Sequence, residues 1–348
     1  MRRVLIALVF AGFLCGSTVT YADSAPFGVA SAFNLVALGT VNSSGQTVIA
    51  GNIGTQADVE GRMAAANQIT QATTIGSTLR SDPYGSLAGG YALVAGGGVT
   101  AGNYFNINGG GNVYASTNSA GYNWNENPRG SLVKSGPSPI NFSSLRSTLD
   151  AETLQLASLT ANGVVGAPTP HGGNPSWLVL SGSSATLNVF TVTAAQFADA
   201  NHPLDIVVPA GSTVIINVQG TNVTLGTGIY FNGTQESDSN DDSNDILFNF
   251  AGASTVAIDG QLNGAVLAPF ALLTGSSQMG GNFIAAQIGQ TGEIHNDEFS
   301  GTLPNFSPEN SFPTEAPEPG TLVLMGGGIL FLASLLGIRR QNYRRTRP

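Results

Sequence analysis

"STVAIDGQLNGAVLAPFALLTGSSQMGGNFIAAQI", residues 254–288, is a chain of short apolar runs separated by Asn-Gly and Gly-Ser corners. Each run is four to six residues long and rich in Val, Ile, Leu and Phe, a strand length bounded by turn residues. The same texture recurs in "TVIAGNIGT" (47–55), "YALVAGGGVTAGNYFNINGGGNVYAS" (91–116) and "LDIVVPAGSTVIINVQGTNVTLGTGIYF" (204–231). Stacked short strands with glycine corners are what a parallel β-solenoid requires, because each coil covers its neighbour's backbone and small residues permit the bends. No strict repeat length is visible, so the expected solenoid is irregular. A β-sandwich, which also suits short turn-separated strands, is the competing fold.

One segment departs from the β pattern. In "SPINFSSLRSTLDAETLQLASLTANG" (138–163), Phe142, Leu145, Leu149, Leu156 and Leu159 fall on one helical face. Asn141 or Ser143 can cap the start, and Asn162-Gly163 supplies a stop. The expectation is a single amphipathic helix of about twenty residues lying alongside the coils.

The composition fits a folded chain: 46 glycines coexist with 42% hydrophobic residues, which disordered segments do not combine. Seven of the twelve basic residues lie at the two termini; residues 23–316 hold five basic residues against twenty acidic ones, about −15 in charge. Such a surface repels phosphates and anionic headgroups and argues against nucleic-acid partners.

The termini read as targeting segments. Arg2 and Arg3 precede an apolar stretch from Val4 to Leu14, too short to span a bilayer, and Thr20-Tyr21-Ala22 offers a small-residue cleavage site after Ala22. Cys15, the one cysteine, falls in that discarded segment, so the mature chain carries no disulfide. At the other end, Pro317-Glu318-Pro319 and Gly320 lead into uncharged residues 321–338, about 27 Å as a helix and sufficient to cross a membrane. Five arginines in residues 339–348 follow and place the C-terminus in the cytoplasm. Residues 300–316, with Pro304, Pro308 and Pro313, read as an extended spacer.

The blocks "FNLVALGTV" (33–41), "ADVEGRMAAANQI" (57–69), "STVIINVQG" (212–220), "ILFNFAGAST" (246–255), "NGAVLAPFALLT" (263–274) and "GEIHNDEFSG" (292–301) resemble, in order, those of bacterial choice-of-anchor A domains. The resemblance spans roughly Ala32 to Pro304 and implies an adhesin-like β-solenoid related to ice-binding and collagen-binding adhesins. The C-terminal segment 317–348 resembles a PEP-CTERM sorting signal, which implies transient recognition by an exosortase in a Gram-negative, exopolysaccharide-producing bacterium. The implied organisation is a signal peptide (1–22), an adhesin-like β domain (23–299), a spacer (300–316) and the sorting signal. The chain is then exported, held by its helix in the inner membrane, and processed to the cell surface or the extracellular matrix.

Catalytic motifs are missing: there is no Gly-x-Ser-x-Gly elbow, His-Glu-x-x-His, Walker loop or Gly-x-Gly-x-x-Gly. The expectation is therefore a non-enzymatic adhesion or structural role. The alternative is a calcium- or carbohydrate-binding module that organises exopolysaccharide. Three places invite chemistry. Strand alternation would put Glu293, His295 and Asp297 on one face, as metal ligands or an acid/base set, although solvated surface residues are the plainer reading. Glu60-Gly61-Arg62 reads as a structural ion pair at a glycine turn, or else as a ligand-binding pair. Asp238, Asn240, Asp242 and Asn244, alternating in "QESDSNDDSND" (235–245), offer calcium-type oxygens, yet lack the glycine and terminal glutamate of an EF-hand. No other cofactor is expected.

Overall fold

Ten parallel strands build the first wall of the molecule: β1 (Leu35–Ala37), β2 (Met63–Ala65), β3 (Tyr91–Ala95), β4 (Asn112–Ala115), β5 (Leu132–Val133), β6 (Leu187–Thr193), β7 (Thr213–Gln219), β8 (Ile246–Asn249), β9 (Ala265–Gly275) and β10 (Phe283–Ile288). Their spatial order is β5-β4-β3-β2-β1-β10-β9-β8-β7-β6. The computed structural model describes residues 25–304 except 72, 80–83, 103, 126–129, 167–168, 172–173, 198–202, 227 and 236–244. The signal segment with Ala22, the four acidic-loop positions, Pro317–Pro319, the apolar run 321–338 and the basic tail lie outside the described residues. Among the described residues, no helix is long and apolar enough to cross a membrane. The chain divides into a unit ending at Leu303 and another from Pro304 onward; every element named here belongs to the first.

The strand order is not the chain order, and the seam is at β1. Leu35 pairs in register with Met63 on one side and with Phe283 on the other. The chain thus starts in mid-stack, winds to one end at β5, crosses to the opposite end, and winds back from β6 until β10 meets β1. A parallel ladder of this kind excludes the β-sandwich and makes the fold a solenoid.

Two further ladders complete each coil. The second wall stacks Asn222–Leu225, Thr255–Ile258, the last residues of β9 and β10, then Ile53, Gln68–Ile69 and Gly98–Val99. In β9 the register shift between Ala268 and Leu272, around Pro269, carries one strand round the corner from the first wall to the second. The third wall stacks Leu262–Asn263, Met279–Gly280, Ile294–His295, Val59, Thr74–Ile75, Tyr104–Ile107 and Gly121–Trp124. Toward the β6 end, Leu178–Ser181, Leu204–Val207 and Ile229–Phe231 form a further parallel ladder. Alternate residues from the walls fill the interior, among them Phe105, Phe190, Phe248 and Phe283, all fully buried. Burying each such side chain contributes about 1.5–3 kcal/mol.

The outer side of the first wall is buried as well. Val36, Ala64, Leu247, Leu267 and Ile284 point outward yet have no exposed surface. This accounts for the near-continuous apolar runs, since a strand covered on both faces has no polar alternation. The cover over β7–β9 is α1 (Phe142–Ala157), whose buried face holds Phe142, Leu145, Leu149, Thr153 and Leu156. Asn141 caps it through the Ser144 amide at 3.1 Å. Its 16 residues span about 24 Å, roughly five strand spacings. The helix is shorter than the sequence suggested: it stops at Ala157, Leu159 is only half-buried, and Asn162 bonds the backbone of Leu187 and Val189 instead of capping the helix.

Polar groups fix where α1 lies. Asn249 Nδ2 donates to the Thr153 carbonyl (2.9 Å) and to Asn217 Oδ1 (2.8 Å), Thr153 Oγ1 contacts Asn249 Oδ1, and Asn217 Nδ2 donates to the Leu156 carbonyl (2.8 Å). Arg146 Nη1 donates to the Leu38 carbonyl just after β1 (3.1 Å). The helix is thereby tied to both chain halves, and these buried amides are satisfied.

Candidate functional site

The seam brings together two stretches that lie far apart in sequence. Val59 bridges Ile294, with the Ile294 amide donating to the Asp58 carbonyl (2.9 Å) and the Glu60 amide to the Ile294 carbonyl (2.8 Å). This register sets Glu60 beside His295 on the outside of the third wall. Glu60 Oε1 lies 3.6 Å from His295 Nδ1, and Glu60, Glu293 and His295 each place one ligating atom within 4.8 Å of the others. His295 is buried; the two glutamates are half-exposed. Each carboxylate is oriented by its second oxygen: the Asn296 amide donates to Glu60 Oε2 (3.2 Å), and Gln278 Nε2 to Glu293 Oε2 (3.3 Å).

Of the three residues expected on one face, two meet. Asp297 does not join, because the strand comprises only Ile294–His295; the Asp297 carboxylate instead fills the space over Gly280, where an added Cβ would meet its Oδ2 at 2.4 Å. Glu60 and Arg62 also part company. Glu60 faces His295, while Arg62 is buried near Glu298. Burial pushes the Glu298 carboxyl up to about 8, outweighing the opposing pull of the Arg62 guanidinium and of a backbone hydrogen bond at Tyr84. Between the two charges sits Gly61, where a Cβ would come within 1.5 Å of Asn34 Oδ1. Fully buried, Asn34 donates to the carbonyls of Gly281 (3.0 Å) and His295 (3.2 Å), so one side chain laces the first coil of the chain to its last.

The second wall presents a different surface. On either side of its inward row run two outward columns. In one, Thr224, Thr274, Thr70, Thr100 and Ser119 are interrupted by Ala257, Gly289 and Gly54; in the other, Asn222, Thr255, Gln287, Asn52, Gln68 and Thr117 are interrupted by Leu272 and Gly98. Where neighbouring coils both carry a polar residue, as at Asn222 and Thr255, Asn52 and Gln68, or Thr70 and Thr100, the groups stand about 4.8 Å apart, and alternate residues along a strand lie about 6.7 Å apart. The polar groups are held by the next coil: Thr255 Oγ1 donates to Asn222 Oδ1 (2.8 Å), Asn67 Nδ2 to Asn52 Oδ1 (2.9 Å), and Thr117 Oγ1 to the Gly97 carbonyl (3.1 Å). Gly98, at φ +119°, allows this approach, since a Cβ there would collide with Thr117. This surface was not anticipated from the residues. Its signal was a polar residue on either side of an inward apolar one, Asn222-Val223-Thr224 in "TNVTLGT" (221–227) and Gln68-Ile69-Thr70 in "ANQITQ" (66–71).

A smaller platform occupies the β5 end of the third wall. Tyr104 is 67% exposed and its ring covers Gly121. Beside it, Asn123 donates to Asn106 (3.1 Å) and Asn125 to Asn108 (2.7 Å). A cavity of ≈130 Å³ near Arg62 and Tyr91, and a cleft of ≈370 Å³ between Thr47, Phe142 and Arg146, have no carboxylate or histidine in their linings.

No curated protein matches the chain in sequence. Among solved structures, an ice-binding protein from the Antarctic ascomycete Antarctomyces psychrotrophicus aligns over 81% of this chain and 100% of its own, with 11% identity and a TM-score of 0.35. Residues 26–296 match the family model described as "Putative Ice-binding-like adhesive domain", a range that takes in all three walls, the seam and α1. The chain belongs to that family of ice-binding-like adhesive domains.

Proposed function

We propose that the chain is a non-catalytic adhesive module that docks through the outward columns of its second wall onto an extended, repetitive surface at the cell exterior. The observation that carries this reading is the recurrence of outward hydroxyls and amides along both columns, broken only at a few small or apolar residues. Groups already held by the neighbouring coil lose little conformational entropy on binding, and a broad row of weak contacts suits a polymer or matrix surface better than a small molecule. The strongly acidic exported part keeps the molecule off nucleic acids and anionic lipid. Choice-of-anchor A character, export behind the 1–22 signal and exosortase processing at Pro317-Glu318-Pro319 are part of this proposal, with the cell surface or extracellular matrix as destination.

A second reading rests on the Tyr104 platform. An exposed aromatic ring followed by two amide pairs matches the faces and hydroxyls of a sugar chain, which favours a carbohydrate-binding role within exopolysaccharide. Calcium at Asp238, Asn240, Asp242 and Asn244 would belong to this same reading. Solid-phase binding of the full chain to exopolysaccharide of its own cells, to matrix proteins and to ice separates the readings. Loss of binding on Thr70→Lys/Thr100→Lys supports the second-wall reading. Loss on Tyr104→Ala alone, with sugar binding, supports the carbohydrate reading instead.

A further inference from the structure

We propose that Glu60, Glu293 and His295 form a divalent transition-metal site, zinc foremost, which staples the first coil of the chain to its last. The three donors converge from the two sides of the seam, with ligating atoms already within 4.8 Å of one another. Around a four-coordinate zinc, with ligand bonds of about 2.0–2.1 Å, the donors stand roughly 3.3 Å apart. The Glu60–His295 separation of 3.6 Å is close to that, so small side-chain rotations complete the set. The surrounding groups support the assignment. Asn296 and Gln278 each hold the outer oxygen of one glutamate, leaving its other oxygen to turn toward the imidazole, as outer-shell partners do in metal sites. One imidazole and two carboxylates suit zinc and its neighbours, whereas calcium takes six to eight oxygens. The half-exposed glutamates leave a path for the ion and a position for water. No covalent change is involved: the metal replaces the Glu60–His295 contact, is held by a neutral imidazole, and its two charges balance the two carboxylates.

The test is calorimetric titration of zinc chloride into the metal-stripped full chain in detergent, followed by thermal unfolding. One ion per chain should bind, and zinc at 100 times its dissociation constant should raise the folded-to-unfolded ratio about 100-fold. Glu293→Gln, on the half-exposed side and tolerant of the Gln278 contact, should weaken binding at least about tenfold while the metal-free melting temperature stays put. His295→Ala should abolish binding, and if it fails to fold, Glu60→Gln takes its place. Absence of stoichiometric binding, binding unchanged in Glu293→Gln, or equal binding of calcium would overturn the proposal. None of these outcomes bears on adhesion by the second wall.

Discussion

Alanine at position 61 is the smallest change that attacks the closure of the solenoid. Its methyl would stand 1.5 Å from Asn34 Oδ1 and 2.5 Å from Asn296 Oδ1, neither of which can stay where it is. Moving Asn34 breaks its hydrogen bonds to the Gly281 and His295 carbonyls in a fully buried setting. Two such bonds contribute about 1 kcal/mol each, and the Gly281 carbonyl left without Asn34 adds about 1–3 kcal/mol, while the His295 carbonyl keeps the Gly281 amide (3.4 Å), so Gly61→Ala should destabilise by roughly 3–5 kcal/mol. Gly102→Ala is the control: nothing lies within 4 Å of its Cβ, and the expected change is below about 0.5 kcal/mol. Asn34→Ala should cost about 3 kcal/mol by itself. Combined with Gly61→Ala it should cost clearly less than the sum, because the methyl then finds space where Oδ1 was. Urea unfolding of the parent and the four variants provides the comparison. Gly61→Ala within 1 kcal/mol of the parent, or strict additivity in the double variant, would refute the interlocked seam.

Three more outcomes are expected. Glu298, raised to about 8 by burial, holds its proton in the fold but releases it near 4.5 when unfolded. Its contribution is fully present below pH 4.5 and is lost as pH rises through about 8, at about 1.4 kcal/mol per pH unit, so the parent should melt lower at pH 8 than at pH 5 and Glu298→Gln should flatten that slope. Asn249→Ala removes one of the polar links between α1 and the first wall and should cost about 2–4 kcal/mol, measured by chemical denaturation. Glu318→Ala should leave membrane insertion intact while full-length chain accumulates in the inner membrane, seen by blotting fractionated cells with an epitope in residues 300–316.

How much of this was legible from the residues differs from feature to feature. The solenoid was, because strands such as "ILFNF" and "FIAA" are apolar on both faces and end at glycine corners. The helix was legible from Phe142, Leu145, Leu149 and Leu156, though not its end, since Asn162 serves a strand contact that no local pattern announces. The seam was hidden. Register partners are spaced unevenly, Val266 to Phe283 in one coil and Ile215 to Leu247 in another, so no repeat shows which coil follows which. For that reason Glu60 and His295 each drew notice while their contact did not. Asp297 misled because the period-two rule was carried past the end of a two-residue strand.

Adhesion through the second wall is tested most directly by binding of the full chain to exopolysaccharide and matrix from its own cells before and after Thr70→Lys/Thr100→Lys. Both residues lie on the outward column, so the melting temperature should hold within about 2 °C while binding falls tenfold or more. Undiminished binding by a folded double variant would contradict the account.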